Sequence, residues 1–210
     1  MGKAFSEAQR GEVQRKLRET GLALFREKGI RGVSIREITA ACGISLGCFY
    51  RFYPDKEHFL ADLLHTRAEE KLELLYANRA SSLPDPLRYL CDLFYTQGMR
   101  LTDNAAFDEM QSGTLELLSA FSPEGRRSVQ ALYTSYLQRM ISYWAENGIS
   151  VSCHEETFLQ VLGAAEILIT HASLLSPDTF PAIYRAFCDA SIPLFCSVTP
   201  SQMKGDRPCI

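Results

Sequence analysis

The chain has 210 residues, enough for one or two domains with a sizeable core. It is 46% hydrophobic and 22% charged, and no run of about 18 apolar residues occurs, which excludes a transmembrane helix. The net charge of -3 conceals an asymmetry: residues 1–60 carry 11 Lys and Arg against 7 Asp and Glu, and the remainder carries 11 against 18.

A basic N-terminal segment on an acidic body points to an anionic partner at that end. The N-terminus lacks the apolar stretch of a secretory signal. The 7 cysteines are scattered and odd in number, with no C-x-x-C pair. That pattern speaks against a disulfide framework or a zinc site and suits a reducing compartment.

The apolar period is helical throughout, with no alternating strand and no hairpin signal. The expected class is all-α, with about nine helices. Ser6 opens a first helix with a capping box. Leu17, Gly21, Leu24 and Phe25 share one of its faces, and Gly29 ends it. Ser34 and Glu37 form a second capping box, and Ile35 and Ile38 begin a buried face. Gly43 stops this helix after about two turns. Ser45 caps a third short helix, which Pro54 stops. Long helix, short helix, glycine turn and short helix is the spacing of a helix-turn-helix.

Asp55 can cap a fourth helix running to about Asn78, and residues 81–86 read as a loop. Further helices are expected over 86–101, 103–121, 123–147, 153–175 and 178–195. Ser122 is the expected cap of the helix that starts at Pro123. Ser152 with Glu155 makes another capping box. From Thr199 the tail is polar and expected to lack order.

If the third helix enters a DNA groove, one face must pack and the other must be presentable. Phe49 and Tyr53 fall at i and i+4 and join Ile44, Ile35, Ile38, Leu24 and Phe25 in a small core. Leu46, Gly47, Cys48, Tyr50 and Arg51 lie largely on the other sides. Lys56 sits in the first turn of the next helix, where a cation opposes the dipole unless a phosphate is bound there.

The stretch from Gly29 to Leu60, "GIRGVSIREITAACGISLGCFYRFYPDKEHFL", resembles the DNA-binding segment of the TetR family of bacterial regulators. Outside it the likeness is one of length and helical pattern. The resemblance implies a helix-turn-helix domain over 1–54 and a helical ligand-binding and dimerisation domain over 55–198, with 199–210 as a tail. It implies a homodimer through the last two helices, a double-stranded DNA operator of near-palindromic sequence and an unknown small-molecule effector. Ser34, Arg36, Ser45, Leu46, Gly47, Cys48, Tyr50, Arg51 and Lys56 occupy the positions that contact DNA in such proteins. Three positions depart from the pattern. Cys48 replaces a hydroxyl residue, and Phe52 and Tyr53 reverse the usual polar-then-Phe order. Phe52 either packs or faces DNA, and the Tyr53 hydroxyl either assumes the lost contact or reaches the solvent edge.

In the body, Tyr95, Met99, Met110, Tyr133, Tyr136, Met140 and Trp144 are pocket-type side chains at helical spacing. They read either as ordinary core or as the lining of an apolar cavity. Gly163, Ala164, Ala165, Ala172 and Ala190 allow close helix approach at a dimer seam or in a buried core. His171 reads as a core or interface histidine. Cys153 and His154 are adjacent and diverge on a helix, so no metal is expected. No phosphate loop, nucleophile elbow or paired carboxylate appears, so neither an enzyme nor a cofactor is expected. The expected function is that of a ligand-responsive transcriptional repressor, and the alternative is a helical ligand-binding module whose DNA head is weakened.

Overall fold

The computed structural model describes residues 6–102 and 123–199. The expected helix over 103–121 with Met110, the cap at Ser122 and the tail beyond Thr199 lie outside the described residues. Among those described, eight α-helices form in order: α1 (Glu7–Lys28), α2 (Ile35–Cys42), α3 (Leu46–Phe49), α4 (Lys56–Ala77), α5 (Pro86–Thr102), α6 (Pro123–Glu146), α7 (Glu155–Thr170) and α8 (Phe180–Phe195). None of them is long and apolar enough to cross a membrane.

The caps at the start of the chain form as the sequence requires. Ser6 Oγ accepts from the Gln9 amide while the Gln9 side chain accepts from the Ser6 amide. Ser34 and Glu37 make the same reciprocal pair. Gly29 and Gly43 follow α1 and α2 with φ of 71° and 68°, a region that favours glycine. Asp55 Oδ1 accepts from the His58 amide at 2.8 Å and starts α4.

The chain divides into two compact units, and the divisions fall inside α4 and inside α6 rather than before α4. The first comprises residues 6–69 and 123–129 of the described chain, and the second 70–102 and 130–199. The first unit buries Leu17, Phe25, Val33, Ile38, Cys42, Phe49, Tyr53, Phe59, Leu60 and Leu63 in one cluster. The second packs α5 on α8 and α7 on α8 around Leu90, Leu137, Met140, Trp144, Tyr184, Ile192 and Phe195.

Three expectations fail in the second unit, all through one feature. A two-stranded antiparallel sheet forms between β1 (Ser150–Cys153) and β2 (Cys196–Thr199). Each strand is four residues long, too short for alternation to stand out from noise, and its partner lies 43 residues away at the Cys153–Cys196 pair. Ser152 is therefore a strand residue and not a cap; His154 is the N-cap of α7, without a side-chain bond. Thr199 is ordered in β2. A disulfide joins Cys153 to Cys196, against the expectation from cysteine spacing. Spacing is informative for sequence-local frameworks, and this pair is made by the sheet register.

Gly98 shows how closely the second unit packs. A Cβ on it would lie 2.2 Å from Cε1 of Tyr184, a side chain only 1% exposed. Alanine gains about 1 kcal/mol in a helix interior, whereas overpacking a core costs about 1–3 kcal/mol. Gly98→Ala is expected to lower the urea midpoint of the full chain. An unchanged or raised midpoint would show that Tyr184 moves aside freely.

Burial also acts on a charge. The Lys71 ammonium, half-buried on α4, is lowered to about 8 by desolvation, with Arg100 adding repulsion. Its unfolded value is about 10.4. Between these values the unfolded chain binds the proton and the folded chain does not, so this group makes stability rise with pH across that window. Lys71→Met is expected to stabilise the chain at neutral pH, by a margin that shrinks toward pH 10 in parallel denaturation curves.

Candidate nucleic-acid interface

The turn between α2 and α3 is built by Gly43, which adopts φ 68° and ψ 32°. Its amide donates to Ala40 O at 3.1 Å, and the Ile44 amide to Thr39 O at 3.0 Å. The chain thus leaves α2 and restarts within three residues. Ser45 Oγ accepts from the Cys48 amide at 3.2 Å and caps α3.

α3 is held from inside by aromatic packing. Phe49 is fully buried and Tyr53 nearly so. Their ring centroids lie 5.5 Å apart, and both pack on Phe59 of α4, at 5.6 and 5.1 Å. These are favourable separations for tilted and edge-to-face rings. With the alternate positions inward, Arg36, Ser45, Gly47, Tyr50 and Arg51 are exposed, and Leu46 and Cys48 are half-buried. Tyr50 is 50% exposed, with its ring at right angles to that of Phe49.

Two of the three departing positions, Phe52 and Tyr53, find partners within the head. Phe52 packs against the head core, and the Arg10 guanidinium lies 5.1 Å over its ring. Tyr53 turns its hydroxyl inward and donates to Asp62 Oδ2 at 2.6 Å. Arg18 of α1 grips the same carboxylate with two bonds, Nε to Oδ2 at 2.7 Å and Nη2 to Oδ1 at 3.0 Å. Asp62 thereby ties α1 and the end of the α3 segment to α4. Burial, then the carboxylate, pushes the Tyr53 phenol well above its usual range. Arg18 and Asp62 carried no local signal, being 44 residues apart. Only the misplaced hydroxyl of Tyr53 asked for a partner.

Two other expected contacts are occupied within the head. Ser34 Oγ donates to Glu37 Oε2 at 2.9 Å and accepts from the Glu37 amide at 3.3 Å. Lys56 Nζ donates to Ile30 O and Val33 O, each at 2.5 Å, above the ring of Phe25. Its cation answers the carbonyls of the α1–α2 loop. Burial holds this ammonium below the usual lysine range.

The pocket-type residues of the body disperse to separate partners. Trp144 Nε1 donates to the buried Ser82 Oγ at 2.7 Å, and Tyr136 Oη lies 3.4 Å from Tyr89 Oη. Met140 is fully buried. Tyr95 stacks on Tyr184 of α8 at 6.3 Å, with the Arg185 guanidinium 5.2 Å from its ring. Met99 and Tyr133 are half-buried, and burial raises the Tyr133 phenol, with Glu166 adding to it. His171 is exposed, its Nδ1 2.9 Å from Ile167 O. Among the described residues, no group of three or more His, Cys, Asp and Glu is arranged to hold a metal.

Residues 17–63, which hold α2, α3 and the Arg18–Tyr53–Asp62 cluster, match the signature of the bacterial regulatory proteins of the tetR family. In this head the chain is similar to the TetR family. Over 54 residues it is 41% identical to YuxN, an uncharacterized HTH-type transcriptional regulator of Bacillus subtilis (strain 168), a match that spans 26% of this chain and 19% of that protein. The chain thus aligns with about a fifth of that relative's length. Its fold is similar to that of a TetR transcriptional regulator from Rhodococcus sp. RHA1, at 16% identity and a TM-score of 0.64, over 90% of this chain and 98% of the other. It is also similar to RolR in complex with resorcinol, at 21% identity and a TM-score of 0.58, over 90% of each chain. At such identities the likeness is one of fold.

The TetR-type head depends on Asp62 more than on either donor. Asp62→Asn leaves Arg18 without its charge partner in a partly buried site, and about 1–3 kcal/mol of stability should be lost. Tyr53→Phe removes one neutral donor and should cost about 1 kcal/mol. Guanidinium unfolding of the two variants with the unmodified chain checks this order, and equal losses would refute it.

Proposed function

We propose that the chain is a sequence-specific DNA-binding transcriptional regulator, a dimer that reads a near-palindromic operator and releases it on binding a small molecule. The observation that carries this reading is the packed helix-turn-helix presenting Arg36, Gly47, Tyr50 and Arg51 outward on a basic segment. Gly47 has nothing within 4 Å of where a Cβ would stand, so its backbone is open to approach by DNA. Arg36, Arg51 and the Tyr50 hydroxyl are donors suited to phosphate oxygens or base edges. Ser45, Leu46 and Cys48 complete the start of the reading helix, with Ser45 also serving as its cap. Ser34 and Lys56 act as internal fasteners in this reading.

The dimer is supported by the apolar side chains left uncovered on the last two helices and the turn between them. Ile167 is 63% exposed, Leu174 78% and Leu194 65%. Apolar surface of this kind marks association sites, and a two-fold dimer presents its heads to a palindrome. RolR, of the same fold, is described with bound resorcinol. That supports a small-molecule effector here, held in the body by apolar and aromatic side chains such as Tyr95, Met99 and Tyr133.

Duplexes selected by the unmodified chain from a random library provide the probe. Binding should weaken steeply with salt through counterion release. Arg51→Ala should reduce affinity on all selected duplexes and lower the salt slope by about 1 per protomer. Lys56→Met should lower head stability and leave the salt slope unchanged. Selection of no duplex would overturn the reading, and a slope reduced by Lys56→Met would return that lysine to the interface.

A further inference from the structure

Cys153 closes β1 and Cys196 opens β2, directly opposed in the antiparallel register with Cα atoms 4.3 Å apart. Three further pairs continue the ladder, Ser152–Ser197, Val151–Val198 and Ser150–Thr199. On the other side, the His154 amide donates to Phe195 O at 2.7 Å. The two sulfurs are thus held together by backbone bonds that do not need the disulfide. Opening it leaves two thiols side by side, ready to close again.

The cysteine inventory points the same way. Among the described residues, Cys42, Cys48, Cys91 and Cys188 are free thiols, and Cys48 is not fully buried. A chain suited to permanent oxidation seldom leaves an accessible thiol unpaired beside a disulfide. The two bonded sulfurs also differ in access. Cys196 is 2% exposed, whereas Cys153 is half-buried. Cys153 directly precedes His154, the N-cap of the 16-residue α7.

We propose that Cys153 and Cys196 are a reversible thiol–disulfide site, exchanging with low-molecular-weight thiols and disulfides of the glutathione class, with Cys153 as the sulfur that is entered. In reduction, an external thiolate attacks Cys153 Sγ, the protein S–S bond breaks, and Cys196 leaves as a thiolate and takes a proton. A second external thiolate attacks the external sulfur of the mixed disulfide and frees Cys153. The sum is one protein disulfide and two external thiols giving two protein thiols and one external disulfide. Oxidation runs the same steps backwards, beginning with the Cys153 thiolate. The bond closes a segment that contains all of α7 and α8. On a loop-entropy account, opening it raises the unfolding equilibrium constant on the order of a thousandfold. None of this depends on the chain binding DNA.

The test uses the full chain, without denaturant, in buffers of varied reduced-to-oxidised glutathione ratio. Samples are quenched in acid and alkylated with maleimide, and the peptides carrying Cys153 and Cys196 are quantified by mass. Both cysteines should become alkylated together in reduced glutathione and be protected together in oxidised glutathione. The oxidised chain should melt above the reduced one. With oxidised glutathione, the Cys196→Ser variant should carry an adduct on Cys153, and the Cys153→Ser variant should carry far less on Cys196. A bond that survives reduced glutathione in the folded chain would make it a static staple and overturn the proposal. Alkylation of both cysteines at every ratio would do the same, as would equal adducts in the two variants.

Discussion

The carboxylate of Asp62 accepts from Arg18 on α1 and from Tyr53 at the end of the α3 segment, while itself standing on α4. A head of one long helix and two short ones has little core of its own. α3 makes only one helical turn, and isolated helices of that length are not stable in water. Its position is therefore set by what it touches. Phe59, Leu60 and Leu63, all from α4, supply three of the ten residues in the head's buried cluster. Asp62 adds a directional bond to that non-directional burial. The result is that α4 completes the head instead of merely following it, and the compact unit extends to residue 69.

Lys56 makes the same point at the other end of the helix start. A lysine in the first turn of a helix works against the dipole. Its ammonium reaches the carbonyls of Ile30 and Val33, two acceptors that the α1–α2 loop leaves without helical partners. The electrostatic misfit visible in the sequence is thus real, and it has a partner. The partner in the fold is a pair of carbonyls, an alternative to a phosphate that satisfies the same charge. A residue type and position can signal that a counterpart exists without saying which anionic or dipolar group it is.

The head was legible because its signals are local. Capping boxes, glycine stops and the i, i+4 aromatic pair act within a few residues, and each forms where the spacing requires it. The body was less legible because its decisive contacts are distant. Trp144, Tyr136 and Tyr95 share a residue type and a period, yet one meets Ser82, another Tyr89 and the third α8. Periodicity says that a side chain faces inward; it does not choose the neighbour.

By itself the sequence determined the helical class, the glycine turn, the caps and the inward aromatic face of α3. These follow from backbone preferences and from free N–H groups that need nearby acceptors. Only the tertiary structure decided where the polar groups left over by that pattern would go. It sent the Tyr53 hydroxyl to Asp62, put Phe52 beneath Arg10 and folded the Lys56 ammonium onto the α1–α2 loop. It also paired two four-residue strands and brought Cys153 against Cys196. The physical reason is common to all of them. A hydrogen bond, ion pair or disulfide between distant residues depends on distances of a few ångströms, and those exist only once the packed chain has brought its parts together.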